Sequence, residues 1–148
     1  MLPDDASDKI DLPLSSTLQD RCWPKMGLWS VVTANANCWA TASDNVANVA
    51  EDDFLMLQET KVFKESMRKV AGNTARRLGW SHVFGLAHRT AGASGSVGCA
   101  VLARKGIGIN GNHNSMIPES VAHRITVAWV AVVAKGGCYL VSVCRYER

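Results

Sequence analysis

The chain has no apolar run long enough to cross a bilayer. Its longest, Val127 to Ala134 (VAWVAVVA), spans eight residues and suits a buried strand instead. The N-terminus, MLPDDASDKID, is acidic and has no apolar h-region, which argues against a secretory signal and leaves intracellular residence as the expectation. Cysteine is poorly arranged for chemistry. The five (Cys22, Cys38, Cys99, Cys138 and Cys144) are odd in number and contain no C-x-x-C pair, so neither a disulfide framework nor a zinc site is expected. They read as small apolar fillers. There is no internal repeat and no linker within the body of the chain.

What is present fits one α/β domain. The 148 residues can bury a sizeable core, and 20% charged content is that of an ordinary globular protein. Charge is uneven, however. Residues 1–20 carry five Asp and one Lys, a balance of −4; with the whole chain at +3, the remainder stands at +7. Such a body suits a phosphate-rich partner, although a basic surface also serves solubility alone. Three of the four prolines lie in residues 1–27, which read as a flexible acidic leader before a domain over 28–148.

From Leu28 onward the periodicity alternates between strand and helix. Leu28 to Ala34 reads as a first strand, Ser43 as the cap of a short helix, and Phe54 to Leu57 as a buried strand. Phe63, Met67, Val70, Ala71, Thr74, Ala75 and Leu78 recur at helical spacing, with Gly79 as the stop. Lys64, Arg68, Lys69, Arg76 and Arg77 fall largely on the opposite face. Strands are expected at His82–Leu86, Val97–Arg104, Arg124–Ala134 and Cys138–Val143, the last two joined by a Lys135–Gly137 hairpin. A polar loop covers residues 110–114.

Two segments carry chemistry. Thr33-Ala34-Asn35-Ala36-Asn37 ends the first strand, and two Asn side chains at i and i+2 share a strand face. Leu57-Gln58-Glu59-Thr60-Lys61 ends a buried strand in a carboxylate, at the edge where layered α/β sheets present functional groups. A carboxylate there suits Mg²⁺, a hard ion that takes oxygen ligands. Turn chemistry at the asparagines, and an acidic residue opening the next helix, account for the same residues equally well.

In this order and spacing, T-x-N-x-N followed by L-Q-E-T-K resembles the opening of the endonuclease/exonuclease/phosphatase superfamily. The resemblance is greatest to apurinic endonucleases and to the endonuclease domains of LINE-type retrotransposons. Gly79-Trp80 before a strand, Ser94 to Leu102 and His123 to Val143 are similar to later elements of that family, so the likeness covers Leu28 to Val143. It implies an active-site hydrogen-bonding role for Asn35, a metal-binding role for Glu59, and Asn37 near the metal. It also implies Mg²⁺ or Mn²⁺ as cofactor, DNA as partner, and a four-layer αββα sandwich of which this chain is the first half: a mixed sheet with flanking helices.

Three departures qualify the resemblance. Cys144 stands where relatives show a Tyr, and Tyr146 lies two positions beyond it. The family's N-x-D motif and its terminal S-D-H are absent, and a domain of that kind needs roughly 250 residues. None of His82, His88, His113 and His123 has the S-D-H context. The resemblance therefore implies a retroelement-derived phosphodiesterase fragment with little or no hydrolysis alone. It also implies a single sheet whose uncovered apolar face invites self-association. Two other readings stay open: a non-catalytic phosphate- or nucleic-acid-binding module, and a translated fragment without function. A nuclear location would follow from the nuclease reading, but no basic targeting run is present.

Overall fold

The computed structural model describes residues 27–90 and 95–145. The acidic leader assigned to residues 1–27 lies, except for Gly27, outside them, as do Cys22 and Tyr146. The described chain is a mixed α/β fold in three layers. Strands β1 (Val31–Asn35), β2 (Phe54–Gln58), β3 (Trp80–Phe84) and β6 (Cys99–Arg104) form one sheet in the order β1-β2-β6-β3, parallel at β1/β2 and antiparallel elsewhere. Two short strands, β4 (His88–Arg89) and β5 (Gly95–Ser96), pair with each other. A second, antiparallel sheet contains β7 (Ile109–Asn110), β8 (Ile125–Val130) and β9 (Cys138–Val143).

Helices cover one face of the first sheet. Helix α1 (Trp39–Ala42) runs on into a π-turn at Ser43–Ala47, and α2 spans Glu65–Arg77. The cap of α1 is Cys38, whose sulfur accepts from the Thr41 amide, and not Ser43, which is buried one turn further on. Ala42, Ala47, Ala71 and Ala75 are small enough to let these helices sit close over Leu55, Leu57, Ala100 and Leu102. Trp80 fills the middle of this layer, and its indole N–H donates to the Ala47 carbonyl at 2.8 Å. At the far end, the buried Arg104 guanidinium lies 4.0 Å from the Trp80 ring and donates to the Ala50 and Asp52 carbonyls. A buried cation needs such partners.

The second sheet covers the opposite face, which corrects the expectation of a single sheet with its inner side bare. Alternation decides which residues meet. Thr126, Ala128 and Val130 of β8 turn inward and are buried, while Phe54, Ala103, Ile107 and Val130 make a core between the sheets. Buried hydrogen bonds join the layers: Thr126 Oγ1 to the Cys99 carbonyl at 2.9 Å, and Ser142 Oγ to the Leu57 carbonyl at 3.0 Å. Coverage stops short of β1, where Val31 is 48% exposed, and β9 is paired on one side only among the described residues. The apolar face left open is the outer side of the second sheet. There Ile125, Val127 and Trp129 stand opposite Val143, Val141 and Tyr139.

Other boundaries shift for local reasons. Strand β3 starts two residues earlier than expected, because Gly79 (φ +89°) turns the chain directly out of α2. Strand β8 ends at Val130 and the β8–β9 connection is longer than a tight hairpin, its last glycine seated against the Trp129 ring. The polar stretch after β7 winds into a 3₁₀ turn, Asn112–Met116, and a short helix α3 (Glu119–Ala122) precedes β8. There Asn114 caps the β8 backbone, its side chain bonding both the amide and the carbonyl of Val127.

Gly98 is the crowded joint of the fold. It has φ +80°, donates to the His123 carbonyl and accepts from the Thr60 amide. A Cβ there would lie 2.8 Å from Thr60 Oγ1 and 2.9 Å from Ala87 Cβ. Gly98→Ala is expected to destabilise the fold by about 2 kcal/mol or more, read as a lower urea midpoint at unchanged slope.

Candidate functional site

Strand β2 delivers its last residues to a cleft of about 280 Å³ lined by Thr33, Asn35, Gln58, Glu59, Val143, Cys144 and Arg145. β1 and β2 run parallel in register, so Asn35 stands beside Gln58 at the same sheet edge. The β9 end closes the far wall. Asn35 and Glu59, assigned from sequence to one site, thus share a cleft.

Asn37 does not line it. The strand ends at Asn35, and Asn37 turns away with φ +60°, its amide donating to Asn35 Oδ1 at 3.2 Å. The expectation that both asparagines project from one strand face fails for this reason. The Asn37 side-chain oxygen accepts instead from Lys61 Nζ at 3.2 Å, at the rim of the site.

Gln58 ties the cleft together. Its Nε2 lies 3.0 Å from Thr33 Oγ1, 3.1 Å from Ser142 Oγ and 3.2 Å from the Met56 carbonyl, linking β1, β2 and β9. Glu59 follows with φ +61° and Lys61 with φ +54°. Left-handed backbone at such side chains costs energy that only tight surroundings sustain. Those surroundings are visible. The Thr60 and Lys61 amides donate to the Gly98 and Val97 carbonyls, and the Gln58 and Thr60 carbonyls accept from Ala36 and Trp39. Among the described residues, three of the four positive-φ non-glycine positions, Asn37, Glu59 and Lys61, therefore cluster around this cleft; the fourth, Val97, braces it.

Cys144 lies in the cleft wall with its sulfur 2.7 Å from that of Cys99. The hydrogen bond from Cys99 holds the Cys144 thiol below the ordinary range, helped by the Glu59 amide and opposed by burial. The same hydrogen bond pushes the Cys99 thiol well up, with burial adding to it. Both cysteines occupy apolar filler positions as expected. Their pairing was not legible from residues 45 apart in sequence. Arg145 was also missed, since only its place just after β9 brings it here.

The donors in the cleft suit a hard cation by type. Glu59 supplies a carboxylate and Asn35 an amide oxygen. Gln58 and Thr33 are engaged with each other. Among the described residues no cluster of three or more His, Cys, Asp or Glu could hold a metal. A divalent ion here would rely on one carboxylate with amide oxygen and solvent, a pattern that Mg²⁺ accepts. None of the four histidines lines this cleft. Burial, then Arg76 and Arg68, lowers the His82 pKa; burial, then Arg124 and His88, lowers that of His123.

A second, larger cleft of about 730 Å³ runs along the α2–β3 edge and gathers Arg68, Lys69 and Arg76 with Asn112 and Asn114. Arg68 is paired with Glu65 at 2.5 Å on an open surface, where such a pair contributes little. The described helices include none long and apolar enough to cross a membrane. No protein-family model matches the chain, and neither does any curated protein.

Gln58→Ala removes a side chain that bonds both β1 and β9 in the cleft. It is expected to destabilise the fold by about 1–3 kcal/mol in urea denaturation, because a buried Ser142 hydroxyl loses a partner.

Proposed function

We propose that the chain is an endonuclease-type, metal-dependent phosphodiester hydrolase domain of the endonuclease/exonuclease/phosphatase kind, retroelement-derived and incompetent on its own. The observation that carries this reading is Glu59. A carboxylate just after a largely buried strand is held in left-handed backbone and shares one cleft with Asn35 between two packed sheets. The helix–sheet–sheet layering supports the αββα architecture in its first three layers.

In this reading Glu59 and Asn35 hold Mg²⁺ or Mn²⁺, and Asn35 also positions a phosphate oxygen by hydrogen bonding. The metal, when bound, polarises the phosphoryl oxygen and lowers the pKa of a water. Hydrolysis further needs a group to place that water in line and another to stabilise the leaving oxygen. The described wall of the cleft offers no second carboxylate and no His for these roles. The side over β1, with Val31 exposed and one edge of β9 left unpaired among the described residues, is where further groups would complete the site.

The basic cleft beside α2 favours a second reading, a module that holds nucleic-acid phosphates without cutting them. The two separate in solution. For the hydrolase reading, Mn²⁺ should broaden the NMR signals of Asn35 and Gln58 first, and Glu59→Ala should abolish the effect. Broadening that survives Glu59→Ala would sink the assignment of the metal to this residue. Supercoiled DNA should not be nicked by the chain alone. For the binding module, DNA affinity should fall steeply with salt, weaken with Arg68→Ala/Arg76→Ala, and ignore Glu59→Ala.

A further inference from the structure

Cys99 opens β6 on the inner face of the first sheet, and Cys144 follows β9 on the inner face of the second. Their sulfurs are 2.7 Å apart, closer than van der Waals contact between two sulfur atoms. Both are almost fully buried, Cys99 at 1% and Cys144 at 5% exposure. Backbone carbonyls lie near the sulfurs, Arg124 O at 3.3 Å from Cys99 and Gly98 O at 3.6 Å from Cys144, together with the Ser142 hydroxyl beside Cys99 and the Glu59 amide beside Cys144. Cys38 caps α1 and Cys138 opens β9, so neither belongs to this pair.

Access differs between the two. Cys144 lines the cleft that also holds Asn35 and Glu59, whereas Cys99 does not. A small oxidant entering the cleft therefore meets Cys144 first, and Cys99 lies directly behind it.

We propose that Cys99 and Cys144 are a dithiol modification site, which hydrogen peroxide entering the cleft closes to a disulfide that cross-links the two sheets. In the first step the Cys144 sulfur attacks one peroxide oxygen. The S–O bond forms, the O–O bond breaks, and the departing hydroxide takes the thiol proton to give water and a sulfenic acid. In the second step the Cys99 sulfur attacks the Cys144 sulfur. The S–S bond forms, the S–O bond breaks, and the leaving hydroxide takes the Cys99 proton as a second water. Two electrons pass from the sulfurs to one peroxide. A dithiol reductant reverses the link by exchange. The site stands independently of the hydrolase reading, since it uses neither a metal nor Glu59.

The test uses the full 148-residue chain. The protein is treated with hydrogen peroxide, quenched, alkylated in denaturant and mapped by peptide mass spectrometry. The expected product joins the Cys99 and Cys144 peptides, lighter by two hydrogens and separated again by dithiothreitol, with Cys38 and Cys138 alkylated. The oxidised protein should melt several degrees higher than the reduced one, and Cys99→Ser should divert Cys144 to sulfinic acid. The same oxidation in urea should scramble the pairing, which shows that the native pairing comes from the fold. The proposal fails if, after peroxide treatment of the folded protein, both thiols are still alkylated in denaturant. It fails equally if wild-type Cys144 over-oxidises while Cys99 stays free, or if another pair cross-links. The mapping needs only the wild-type chain, so poor folding of Cys99→Ser would not blunt it.

Discussion

Three hydrogen bonds between the sheets, two of them fully buried, set the geometry on which the rest depends. Thr126 reaches the Cys99 carbonyl, Ser142 reaches the Leu57 carbonyl, and Gln58 reaches Ser142. Apolar contacts alone would press the sheets together without fixing how they slide. A polar group buried without its partner is costly, so these hydroxyls permit one register and penalise the others. Gly85 assists, because a side chain there would strike the Thr126 hydroxyl. With that register fixed, the end of β9 lies against the end of β2, and the cleft at Glu59 is the space left between them.

The strained backbone follows from the same constraint. Glu59 and Lys61 sit in left-handed conformations because the strand must stop, turn and hand its amides to Gly98 and Val97 within three residues. The surrounding bonds over-determine that path. Strain held in this way is common where a side chain must be aimed, and here it aims a carboxylate. Asn37 shows the converse. Its turn satisfies Asn35 locally and its own side chain is taken by Lys61, so it braces the rim of the cleft.

Much of the fold was legible in the residues. The burial of Phe54 to Leu57, the α2 stripe with its Gly79 stop, and the β9 run follow from periodicity and composition, which local sequence carries directly. The mixed α/β character follows as well. What was not legible depends on pairing at a distance. No pattern within Cys138 to Val143 says that it covers β2 and β6, so the second sheet was missed as a covering layer. The meeting of Cys99 with Cys144 was hidden likewise. At the site, the shared position of Asn35 and Glu59 was readable because β1 and β2 are neighbours in sequence and parallel in space. The contributions of Cys144 and Arg145 were not, because β9 brings them from elsewhere.

The bond from Gln58 to Ser142 spans 84 residues of chain. Closing so long a loop costs entropy that the contacts at its ends recover only once they form, so pairings of this range come late. During synthesis the Glu59 carboxylate leaves the ribosome well before the strand that walls its cleft. The helix-covered half of the first sheet can assemble in that interval, but β6 itself arrives only with residues 99–104. The cleft therefore takes shape only once β9 has docked. Any ligand that prefers it binds only the finished fold.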